Sequence, residues 1–178
     1  MASIINVDKV RRTGSPTDAI SINSSDHAII PGHTLQVQQA LISEATLSSD
    51  TVMATLTWTP KQSGSKVLAQ LYIPNVTGDA GNVGIFEIYI GPNSTYDNGA
   101  NTKVARNRVA LDGTDATETV TAYCADYGLF TTSSTSTHYA FAVFKHQTNV
   151  VVARHGDGTD STKGKLIIQE IAQCVHYS

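Results

Sequence analysis

This chain carries little charge. Asp, Glu, Lys and Arg make up 15% of its 178 residues, and twelve basic against fifteen acidic side chains leave a formal net charge of −3. That balance supplies no basic patch or stripe of the kind that grips nucleic acid. No apolar run approaches the roughly 18 residues that a membrane-spanning helix needs. The opening MASIINVDKVRRTGS also lacks the apolar stretch of a signal peptide. The expectation is a protein made and kept in a cytoplasm, with neither nucleic acid nor membrane as a partner. Only two cysteines occur, Cys124 and Cys174, both in strand-like runs. In a reducing compartment they read as free, buried, small apolar side chains.

Catalytic signals are equally scarce. There is no G-x-S-x-G elbow and no phosphate-cradling loop. The four glutamates, Glu44, Glu87, Glu118 and Glu170, single out no acid pair, since any two acids on neighbouring strands would serve a glycosidase-type site equally well. His27 and His33 lie beside Asp26 without further ligands nearby. His155 with Asp157 and Asp160 does not match an EF-hand loop and reads as a solvated turn. The N-x-[ST] triplets at Asn23, Asn75 and Asn93 are chance matches in a Ser/Thr-rich chain. No catalytic residue, metal ligand or cofactor is assigned, and the chain is read as not being an enzyme.

What is abundant is Ser and Thr, 16 and 22 residues. Thr suits exposed strand faces and Ser suits turns. Residues 51–73 show the pattern most clearly. Val52, Ala54, Leu56 and Trp58 alternate with Thr51, Thr55, Thr57 and Thr59, giving a dry face that includes Trp58 and a wet one. Pro60 stops this strand and Gly64 allows a turn. Val67, Ala69, Leu71 and Ile73 then resume the alternation. Strands are predicted near 35–45, 51–59, 65–73, 84–90, 103–111, 117–124, 137–145, 149–155 and 164–173, with breaks rich in Gly, Pro, Asn, Asp and Ser. The fold class is all-β, an antiparallel β-sandwich of jelly-roll type with eight or nine strands. The polar His146–Asn149 predicts a hairpin between two of these strands. Leu166, Ile167 and Ile168 are apolar on both faces of the last one. Such a strand is central or covered by another subunit, so these three are the candidate residues for a contact between copies.

Residues 1–33 differ from the rest. Ile4, Ile5, Val7 and Ile20 are scattered among Arg11, Arg12, Gly14 and Pro16, with no lasting period. Scattered aliphatics cannot form their own core, so the segment reads as an extended N-terminal arm that orders on a neighbour, followed by a sandwich domain at 34–178. Ile4, Ile5, Val7, Arg11, Arg12 and Ile20 are the candidate partner-binding residues.

The strand pairs resemble small β-sandwich virion proteins of tailed bacteriophages, both head decoration or cement proteins and tail-fibre tip domains. Thr59, Pro60, Ser65, Lys66, Val67 and Leu68 match a T-P-x-x-x-x-S-K-V-L hairpin of that group, and Leu166, Glu170 and Ile171 match its terminal L-x-x-x-E-I strand. The stretch 85–103 departs from the fibre-like members by lacking their short R-D-G-T turn. The resemblance implies a homotrimer on the virion surface whose partners are its own copies and a major capsid protein or another virion protein. About 33 irregular residues before the first strand suit a clamp better than a shaft. Capsid decoration is therefore the first expectation, and a receptor-binding tip or adaptor, with glycan as a ligand, the second. Tyr72, Tyr96, Tyr123, Tyr127, Phe130 and Tyr177 fall at outward or loop positions, where aromatics favour interfaces and sugar contacts.

Overall fold

The computed structural model describes residues 33–43, 45–111, 119–148, 151–154 and 163–173, together with three short strands before them. Those three, β1 (Lys9–Val10), β2 (Ile20–Ile22) and β3 (Ala28–Ile29), pair antiparallel in the order β1-β2-β3. A segment without strand periodicity thus still contains strands, because pieces of two or three residues are too short to show a period. Of the candidate arm residues, Ile4, Ile5, Val7, Arg11 and Arg12 lie outside the described residues. Ile20 is placed by its backbone, as the first residue of β2.

Ten further strands follow: β4 (Thr34–Ile42), β5 (Ala45–Leu47), β6 (Thr51–Trp58), β7 (Lys66–Asp79), β8 (Val83–Gly91), β9 (Thr102–Ala110), β10 (Thr119–Thr131), β11 (His138–Thr148), β12 (Val151–Arg154) and β13 (Gly164–Ile171). No helix occurs among the described residues. One sheet runs β4-β13-β7, with β10 on the other edge of β7; the second runs β6-β11-β8-β9. Numbering these eight strands by their order in the chain, the sheets read 1-8-3-6 and 2-7-4-5. That interleaving is the two-Greek-key order of a jelly roll, so the predicted all-β antiparallel sandwich is the fold.

The strand β7 is longer than its alternation predicts because it has two partners in succession on one edge. β13 pairs with Lys66–Tyr72, and β12 takes over at Asn75–Thr77. Pro74 falls in the gap, where a missing N–H costs the ladder nothing. Two expected hairpins are corrected. β6 and β7 lie in different sheets, as do β11 and β12. The connection from β6 to β7 crosses the sandwich, and the dry faces of both sheets meet across one core.

That core joins both sheets. Leu56 and Trp58 of β6, Phe86, Ile88 and Ile90 of β8 and Phe144 of β11 pack with Leu71 and Ile73 of β7 and with Leu166 and Ile168 of β13. Trp58 is 2% exposed and stacks on His138 at 5.5 Å. Val52, expected beside it, is 40% exposed instead. The register slips between Ala142↔Ala54 and Val143↔Val52, and this bulge at Met53 turns Val52 to the outer face. Leu166 and Ile168 likewise point inward, at 0% exposure. They belong to this chain's own core, and of the three candidates for a contact between copies only Ile167 faces outward.

The open sides of the sandwich are closed by contacts between edge strands. On one side Gln36 of β4 donates to the Thr59 carbonyl at 2.8 Å. On the other, Asn107 of β9 donates to the Ala125 carbonyl of β10 at 2.9 Å. There Gly128 is required, since a Cβ would sit 2.0 Å from the Val104 carbonyl oxygen.

Cys124 is fully buried, as expected, while Cys174 lies outside the described residues. Burial first, and Asp126 second, push its thiol up to about 12. A group held neutral by the fold contributes stability below its unfolded pKa, and that contribution fades as pH rises toward the folded value. Denaturant melts of the wild type should therefore weaken from about pH 9 upward, by up to about 1.4 kcal/mol per pH unit from this group. Cys124→Ala should flatten that decline. An identical alkaline decline in the variant would contradict the assignment.

Candidate interaction surface

The two outer faces of the sandwich are built from the same kinds of residues and end up in opposite states. On the β6-β11-β8-β9 sheet the outward residues of β8 are Ile85, Glu87 and Tyr89. Tyr89 pairs with Phe141 and Lys103, and Glu87 with Val143 and Arg106. Ile85, Glu87, Tyr89, Phe141 and Val143 are nonetheless all buried. Over Tyr89, Phe141 and Val143 the cover includes the connection from β8 to β9, residues 92–101, which folds back over the face. Tyr96 sets its ring edge-on to Tyr89 at 5.0 Å and to Phe141 at 6.0 Å. The loop is held by Asp97, which accepts from Gly99 N at 2.7 Å in an Asx turn, and by Asn101, which accepts from Asp97 N at 2.8 Å.

Polar groups under this cover are matched internally. Glu87 accepts from the Tyr89 phenol at 2.7 Å and pairs with Lys103 Nζ at 2.8 Å and Arg106 Nε at 3.3 Å. Burial, then the adjacent Glu87 carboxylate, raise the Tyr89 phenol above its ordinary value. Lys145 pairs with Asp50 at 2.5 Å, which holds its ammonium up, and lies over the Tyr96 ring. The arrangement fastens the covered part of the sheet face, with Glu87 and Asp50 each paired to basic side chains of the same chain.

The outer face of the β4-β13-β7-β10 sheet has no such cover among the described residues. Cross-strand register places four rows there: Leu41–Lys165–Tyr72–Ala125, Gln39–Ile167–Gln70–Tyr127, Val37–Gln169–Leu68–Leu129 and Thr34–Ile171–Lys66–Thr131. None of these residues is buried. Among the described residues, five of the six large exposed hydrophobics are on this face, with Tyr127 at 71%, Leu129 at 66% and Val37 at 60% exposure. A flat, uncovered sheet face with this much apolar surface has the character of an interface. Among these four rows the charged residues are Lys66 and Lys165, with no carboxylate.

The remaining candidates separate cleanly. Tyr72 and Tyr127 are exposed as expected, whereas Tyr96 and Phe130 are half-buried, the first over Tyr89 and the second beside His138. The side chains of Tyr123 and Tyr177 lie outside the described residues. Glu87 and Glu170 sit on different sheets and form no acid pair. His138 is a core residue whose Nδ1 donates to the Ser136 carbonyl at 2.7 Å. Among the described residues no group of three or more His, Cys, Asp or Glu side chains is arranged to hold a metal ion; His27, His155, Asp157 and Asp160 are not among them.

The two sequence signatures explain each other. Glu170 of the L-x-x-x-E-I strand is fully buried and accepts from Lys61 N at 2.9 Å, Gln62 N at 3.2 Å and Ser65 Oγ at 2.7 Å, all in the T-P-x-x-x-x-S loop. The Gln62 side chain in turn donates to the Gln173 carbonyl at 3.0 Å. These residues hold the crossover loop to the last strand.

No protein-family model matches the chain, and no curated protein matches it. Among solved structures it is similar to a chain in the structure of infectious bursal disease virus, Gt strain, at 8% identity and a TM-score of 0.26. The match covers 90% of this chain and 48% of that one, so this chain spans about half the length of that neighbour.

Proposed function

We propose that this protein is a virion structural protein, a capsid decoration or cement subunit on the head of a tailed bacteriophage that associates as a homotrimer and stabilises the shell. The observation that carries the reading is the asymmetry of the sandwich. The aromatic middle of one outer face is covered by the chain's own loop, and among the described residues the other face, rich in apolar side chains, is left open. A jelly roll with one finished and one unfinished face is a building block that completes itself on a neighbour. In this reading Ile4, Ile5, Val7, Arg11, Arg12 and Ile20 of the N-terminal segment add a second grip, with aliphatic side chains in apolar contact and the guanidinium groups on carboxylates.

Tyr72 and Tyr127 on the same open face favour one alternative, a receptor-binding tip or adaptor of a tail fibre that takes glycan by ring stacking. The two readings part in a co-sedimentation assay. Purified protein mixed with particles assembled without it should bind saturably at a fixed ratio to the capsid protein. Binding to immobilised glycans with none to particles would overturn the decoration reading in favour of the tip.

A further inference from the structure

We infer that the open face of the β4-β13-β7-β10 sheet docks on a different protein, whose surface is apolar and carries carboxylates at its rim. The inference rests on the decoration reading and names the chemistry of the surface that this face meets. Val37 and Leu129 stand exposed in one row, and only a dry counter-surface relieves that exposure. The amides of Gln39 and Gln70 lie in the next row with Tyr127 and give the contact polar register. The charged residues of the four rows are lysines, so the complementary surface is acidic.

Charge also decides against a second copy. Two such faces packed together would oppose lysines with no carboxylate on either side to answer them. The other outer face of a second copy presents Lys103, Arg106 and Arg108 as exposed cations against few acids: Glu87 is buried against Lys103 and Arg106, Asp50 is paired with Lys145, and Asp97 of the covering loop accepts from Gly99 N. Neither sheet face among the described residues therefore complements the open one. Two lysines are also too few for an anionic membrane or a nucleic-acid backbone, both of which are met by clusters of basic side chains.

The test uses the full-length chain, particles assembled without it, and the variants Leu129→Glu, Lys165→Glu and Lys165→Arg. All three change side chains outside the core, so their melting should match the wild type. Leu129→Glu and Lys165→Glu should each bind particles at least about tenfold more weakly, and Lys165→Arg should bind nearly as the wild type does. Wild-type binding matched by both glutamate variants would overturn the inference and leave the decoration reading standing. Failure of the wild type itself to bind would remove both. Conversion of a self-associated wild type to monomer by Leu129→Glu, seen in sedimentation, would assign the face to a second copy and overturn the inference.

Discussion

Replacing Glu170 by Ala should destabilise the sandwich by about 3 kcal/mol or more. The carboxylate is fully buried at the end of β13 and is the shared acceptor for two backbone amides, Lys61 N and Gln62 N, and for the Ser65 hydroxyl. Truncation leaves those donors facing a cavity. Gln36 Nε2 also donates to this carboxylate but keeps the Thr59 carbonyl, and Ser65 keeps Thr132 Oγ1 at 3.0 Å, so the loss falls mainly on the two backbone amides. Because the loop 60–65 carries the chain from one sheet to the other, loosening it also unfastens the crossover. Glu170→Gln retains one acceptor oxygen and should lose roughly half as much. Urea melts of both variants provide the check. An alanine variant as stable as the wild type would mean that water satisfies the loop and that the two signature motifs are not structurally linked.

Trp58→Ala should cost about 3–5 kcal/mol. The indole is 2% exposed, stacks on His138, and packs in the cluster shared by both sheets. Its Nε1 finds no hydrogen-bond partner among the described residues. Trp58→Phe should therefore cost much less than the alanine change, since it gives up area but no polar contact. A phenylalanine variant as unstable as the alanine one would show that the N–H is paired after all.

The alternation of Leu56 and Trp58 with Thr55 and Thr57 made the strands and their dry faces legible, and the turn-rich breaks placed most strand starts, although β7 and β10 run on to Asp79 and Thr131, well past the expected ends at 73 and 124. Period two gives a strand its faces but not its partner. The chain segments on either side of Pro60–Ser65 read as a hairpin for that reason, although they belong to different sheets. The bulge at Met53 reversed the facing of Val52 because one extra residue resets parity, and no local pattern announces it. The open face was only partly legible. Tyr72 and Tyr127 were expected to point outward, but Tyr89 and Phe141 differ from them only by lying under residues 92–101. One signal was present: β8 is apolar on both parities, with Phe86, Ile88 and Ile90 on one and Ile85 and Tyr89 on the other, which is the mark of a strand covered on both sides. In Leu166–Ile168 the same mark reflects a central strand between β4 and β7, with two residues in the core and Ile167 outside.

Electron cryo-microscopy of particles with and without this protein tests the central claim most directly. The expected result is a jelly-roll density on the outer shell, present only with the protein, with the β4-β13-β7-β10 sheet turned toward the capsid subunits and residues 92–101 facing away. Density that presents the β6-β11-β8-β9 sheet and its covering loop to the shell, or a shell unchanged by the protein, would contradict it.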